Sequence, residues 1–83
     1  MTVGTVEVII DIICQEWPTP DGYLSDADTY ERLRSQGVVE VTHHDVNSVL
    51  LGLATSDRIT LSMADGEVPA SAVIRDVEDD LCE

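Results

Sequence analysis

The sequence predicts a small α+β domain: three to four helices with a short β-hairpin or small sheet. Three observations predict it. Apolar residues recur at helical spacing in two separate stretches, 6–17 and 46–53. Alternation replaces that spacing at 58–63. Finally, 83 residues with 43% hydrophobic side chains suit one domain over 1–83, and are too apolar for a disordered acidic tail. The core must be small, because a chain of this length buries only roughly 60% of its unfolded surface.

In the first stretch Val6, Ile9, Ile10, Ile13, Cys14 and Trp17 lie on one helical face. Thr5 is the expected cap, with Glu7 well placed in the first turn. A strand would put Glu7 and Asp11 on the same face as Ile9 and Ile13, so the helix wins despite the many β-branched residues. Pro18 and Pro20 end it, and Asp21-Gly22 forms a turn. A second helix starts after Ser25, with Asp28 as the partner in a capping box. Ala27, Tyr30 and Leu33 give it a narrow apolar stripe, and Asp28 and Arg32 an i, i+4 charge pair. Gly37 closes it in the left-handed conformation. Residues 38–41 follow as a short strand or extended link.

The third helix is the best-defined element. Thr42 caps it, Asp45 is the reciprocal partner, and Val41 and Val46 occupy the staple positions on either side of the cap. Val46, Val49, Leu50 and Leu53 form its buried stripe, leaving His44, Ser48, Leu51 and Thr55 outward. In 58–63, Ile59, Leu61 and Met63 point inward and Arg58, Thr60 and Ser62 outward. Asp65-Gly66 is a tight-turn signal. Beyond Pro69, the spacing of Ala70, Val73, Ile74, Val77 and Leu81 fits a helix better than a strand. A return strand over 68–75 is the competing assignment. The acids at the end of that helix oppose its dipole, so residues 76–83 are expected to form a frayed acidic tail.

Charge is the strongest constraint. Seventeen acids face four arginines, for a net charge of −13. Such a polyanion is repelled by DNA at ordinary salt and by anionic membrane surfaces. It therefore meets a basic partner, coordinates cations, or lives in molar salt, where the Debye length falls to ~3 Å. The acids run along the whole chain and thicken only at Asp76, Glu78, Asp79, Asp80 and Glu83. With no membrane-span-length apolar run and no export signal, a soluble cytoplasmic protein is expected, in the host cytoplasm if it is virus-encoded.

Reactive constellations are few. His43-His44-Asp45 lacks the i, i+4 ligand spacing of a helical metal site, and first-turn surface residues are the expected reading. Cys14 is expected as a small buried hydrophobe and Cys82 as an unreactive thiol among carboxylates. A disulfide between them is conceivable but has no support in their spacing. Carboxylate pairs mean little in so acidic a chain, and no phosphate loop, nucleophile elbow or calcium loop is present. The expectation is a non-enzyme without metal or cofactor.

The run Val38-Val39-Glu40-Val41-Thr42-His43-His44-Asp45-Val46-Asn47-Ser48-Val49-Leu50-Leu51-Gly52-Leu53, continuing into Arg58-Ile59-Thr60-Leu61, resembles a winged helix-turn-helix. The resemblance covers roughly residues 25–75. It implies that the helix after Thr42 is a recognition helix, that the helix after Ser25 precedes it, and that Asp65-Gly66 lies at the tip of the wing. Used on DNA, such a domain would apply His44, Asn47, Ser48 and Arg58. Those positions offer almost no positive charge for the phosphates. The sequence therefore points first to an acidic protein-binding module that docks on a basic partner, mimicking nucleic acid as small phage-encoded inhibitors do. Its expected contacts are Leu51, Asp76, Glu78, Asp79 and Asp80. The alternative is a winged-helix transcription regulator from a salt-adapted organism. The regulator would act as a homodimer, and a third reading is a structural subunit of a larger assembly that uses Trp17, Leu51 and the final segment as contacts.

Overall fold

The computed structural model describes residues 3–63 and 72–82. In chain order they form α1 (Val3–Glu16), β1 (Leu24–Ser25), α2 (Asp26–Ser35), α3 (His43–Thr55), β2 (Ile59–Met63), β3 (Ala72–Val77) and a 3-10 turn (Asp79–Cys82). The strands make one antiparallel sheet in the order β1-β3-β2. The Cα radius of gyration is 11.8 Å, the ~12 Å expected of a compact chain of this length. Ile9, Ile12, Ile13, Leu33, Val46, Leu50 and Ile74 are essentially inaccessible and form the core between helices and sheet.

α1 is helical, but it already begins at Val3, so Thr5 lies inside the first turn instead of capping it. Ile12, off the expected stripe, is as buried as Ile9 and Ile13. The reason is tertiary: α1 packs on α2, α3 and the C-terminal turn, which widens its buried arc. Trp17 is half-buried against the core.

α2 begins where expected, with the Ser25 hydroxyl accepting from the Asp28 N–H. Its buried residues are Asp26, Thr29 and Leu33, whereas Ala27 is exposed. Arg32 pairs with Glu16 of α1 instead of Asp28. At the other end Gly37 has φ +84, the Gly37 N–H donates to Arg34 O (3.0 Å) and the Val38 N–H to Leu33 O (3.0 Å). That pair of bonds is a Schellman cap, and it needs a residue tolerant of positive φ. Residues 38–41 form the extended link, with Val41 buried.

In α3 the cap and the buried stripe agree with the sequence pattern. Both halves of the Thr42–Asp45 capping box are made, and Val46, Val49, Leu50 and Leu53 are buried. Its C-terminus uses a second Schellman arrangement, Asp57 N–H to Ala54 O (3.0 Å) and Arg58 N–H to Leu53 O (2.9 Å). Here the left-handed residue is Asp57, φ 59, a conformation costly for any residue with a Cβ.

The largest correction concerns the end of the chain. The helix expected after Pro69 is strand β3, closer to the competing assignment, and it fills the centre of the sheet. Opposite it, Thr60 pairs with Asp76 and Leu61 with Ile74, leaving Arg75 as an extra residue in a β-bulge. Without the bulge, alternation from Ala72 and Ile74 would send Asp76 inward and Val77 outward. With it, Asp76 is exposed and Val77 is buried. β1, which the sequence did not announce, pairs Leu24 with Ile74 and Ser25 with Val73. The segment expected as a frayed tail holds the 3-10 turn, whose Leu81 is 5% exposed. The Asp65-Gly66 turn lies outside the described residues.

Candidate functional site

The two cysteines meet. Cys14 and Cys82, 68 residues apart, form a disulfide with Cα atoms 5.6 Å apart. The expectation of a free apolar Cys14 and a lone Cys82 is thus corrected. Spacing could not show the bond, because the packing of the 3-10 turn on α1 is what brings the two sulfurs together. The bridge lies in an open concavity of about 340 Å³ lined by Glu7, Ile10, Asp11, Cys14, Leu81 and Cys82. The fold therefore carries Asp79 and Asp80, on the turn, to the helix that presents Glu7 and Asp11. All four side chains are exposed, as are Asp76 and Glu78 just before them.

A second open concavity, about 460 Å³, lies between the end of α1 and α2. Glu16, Asp21, Asp28 and Glu31 line it together with Tyr23 and Arg32. Arg32 is engaged by Glu16. Tyr23, 43% exposed, receives the Arg75 guanidinium over its ring at 5.5 Å, a cation–π contact that ties the bulged residue of β3 to the loop before β1.

The outer face of α3 differs in kind. His44, Leu51, Gly52 and Thr55 are exposed and Ser48 is half-buried. Leu51 is 52% accessible. The one acid of the helix, Asp45, accepts from the Thr42 N–H (3.2 Å) within the capping box. The Thr55 hydroxyl donates back to Leu51 O (2.8 Å). Asn47 and Arg58 are only half-exposed, and Asn47 Oδ1 and Arg58 Nε are buried without a hydrogen-bond partner among the described residues. Leu51 stands on α3, Asp76 on β3, and Asp79 and Asp80 on the 3-10 turn.

Four residues of the α2–α3 corner form a network that sequence reasoning missed. Asp26, 1% exposed, accepts from the Ala27 N–H at Oδ1 (2.8 Å) and from His43 Nε2 at Oδ2 (3.0 Å). The His43 ring stacks on Tyr30 with centroids 5.3 Å apart. Arg34 donates to the Tyr30 hydroxyl (3.1 Å) and lies over its ring. A buried carboxylate needs such partners, and His43 supplies one from the first residue of the next helix. The expected surface histidine is thus a bridge that fixes α3 against α2. Nothing local marked it, since Asp26 reads as an ordinary first-turn acid.

Among the described residues no group of three or more His, Cys, Asp or Glu side chains is arranged to hold a metal ion. Among the same residues no helix is long and apolar enough to cross a membrane. The chain matches no protein-family model, no curated protein and no solved structure.

Proposed function

We propose that this protein is a small, non-enzymatic acidic binding module that docks on a basic protein surface, as an inhibitor or regulator imitating the charge of nucleic acid. The observation that carries this reading is the partition of charge. The 3-10 turn that carries Asp79 and Asp80 packs on the helix that carries Glu7 and Asp11 and is fastened to it by a disulfide, with Asp76 and Glu78 exposed at the strand end. Long-range attraction makes such docking fast and sensitive to salt. A cytoplasmic location belongs to the same proposal, although a disulfide persists more readily in an oxidising compartment.

The fold contribution to the proposal is a winged-helix-like scaffold. The succession α2, Gly37 turn, capped α3, β2 and β3 follows the order that the sequence resemblance implies. It also supports a second reading, a DNA-binding regulator at molar salt, because the outer face of α3 is poor in acid. Against it, Asn47 and Arg58, two of the four contacts of that reading, have polar atoms turned into the protein.

Affinity capture decides between them. The immobilised protein should retain a basic nucleic-acid-binding protein that added DNA releases. The triple variant Glu78→Gln/Asp79→Asn/Asp80→Asn should retain at least tenfold less, while Ser48→Ala retains as much as the parent. Capture that is indifferent to the triple variant overturns the docking reading. Retardation of duplex DNA in ~3 M salt, abolished by Ser48→Ala, would put the second reading in its place.

A further inference from the structure

We propose that the Cys14–Cys82 disulfide is a redox-operated strap, whose reduction frees residues 79–82 from α1 while the three helices and the sheet stay folded. The functional consequence rests on the docking reading above, but the opening itself does not.

The C-terminal segment has few other attachments. Among the described residues, the last backbone hydrogen bond from it to the rest of the fold is Glu78 N–H to Arg58 O (3.0 Å). The next, Leu81 N–H to Glu78 O (3.1 Å), is internal to the turn. Beyond Glu78 the turn is held by one buried side chain, Leu81, and by the disulfide. Charge works the other way, since Asp79 and Asp80 are held beside a helix that carries Glu7 and Asp11 in a molecule of net charge −13. The main core does not share this dependence: Leu33, Val46, Leu50 and Ile74 are buried by contacts among α1, α2, α3 and the sheet.

The bridge is also within reach. It borders an open concavity, and Cys82 is exposed where Cys14 is half-buried. A dithiol reductant supplies the two electrons. Its thiolate attacks the Cys82 sulfur, the Sγ–Sγ bond breaks, and Cys14 leaves as a thiolate that takes up a proton. The second thiol of the reductant then displaces Cys82, closing the reductant's own disulfide and leaving two cysteine thiols on the protein.

The test needs no partner. Protein with and without dithiothreitol is exposed to glutamyl endopeptidase, and cleavage after Glu78, Asp79 and Asp80 is read by mass spectrometry. Far-UV circular dichroism of the same samples follows whether the helices stay folded. Reduction should accelerate C-terminal cleavage at least tenfold and leave the helical signal unchanged. Cys14→Ser/Cys82→Ser should behave as reduced protein and ignore the reductant. Equal cleavage in both states overturns the strap. So does a loss of the helical signal on reduction, or a bridge that yields to dithiothreitol only in denaturant. If the strap opens and basic proteins are captured equally well by both forms, the strap stands but does not control docking; if neither form captures them, the docking reading fails and the strap stands.

Discussion

α3 and the C-terminal stretch of β3 with its 3-10 turn are built on opposite terms. α3 is set by neighbours a few residues away: a capping box at one end, a Schellman cap at the other, and one stripe of four buried side chains between. It carries a single acid, spent on its own cap. The C-terminal stretch has exposed carboxylates at Asp76, Glu78, Asp79 and Asp80, and every feature that fixes it is remote. Its strand is flanked by β1 and β2, its phase is reset by a bulge, and its end is bonded to α1. Local consistency makes an element legible and self-supporting. Remote fixation lets charge collect where no local preference would hold it.

The comparison is broken most severely by removing the remote anchor. Cys14→Ser/Cys82→Ser should lower unfolding free energy by about 4 kcal/mol, the chain-entropy value for a loop of this length. Urea denaturation against the oxidised parent measures it, and a loss below 1 kcal/mol would show that the turn is held without the bond. Within α3, adjacent leucines should diverge. Leu50→Ala should cost about 3 kcal/mol, because Leu50 is inaccessible and leaves a cavity. Leu51→Ala, on the exposed face, should stay within about 0.5 kcal/mol of the parent. Similar losses for the two would mean that α3 is not oriented as described.

Smaller changes sharpen the same contrast. Thr42→Ala removes half of the capping box and should cost about 1 kcal/mol, with exchange rising first in the opening turn of α3. Asp57→Gly should act in the opposite direction and raise stability by about 0.5–1 kcal/mol. It relieves the left-handed strain at φ 59 and takes a carboxylate away from the negative end of the helix. A thermal melt that moves down for Asp57→Gly would show the Asp57 side chain to be making a contact of its own.

The bulge explains why sequence reading took β3 for a helix. The extra residue at Arg75 spaces the buried positions Ile74 and Val77 three apart, which is helical spacing produced by a strand out of phase. The His43 bridge stayed hidden for a related reason. Asp26 sits directly after a cap and His43 directly after another, positions where charged residues are ordinarily solvated. The exposed acids and Leu51 were legible because exposure follows from polarity and from helix phase. The inward turn of Asn47 and Arg58 was not, since both look polar and available in one dimension.

By itself the sequence determined the polyanionic charge, the α+β class, the caps of α2 and α3 and the buried stripe of α3. These depend on composition or on partners within one helical turn, where chain connectivity guarantees the encounter. Only the tertiary structure decided the three-strand order, the bulge, the Asp26–His43 bridge and the Cys14–Cys82 bond. Those join residues from 9, Met63 with Ala72, to 68 positions apart, and closing such loops costs entropy that is recovered only when the whole core forms.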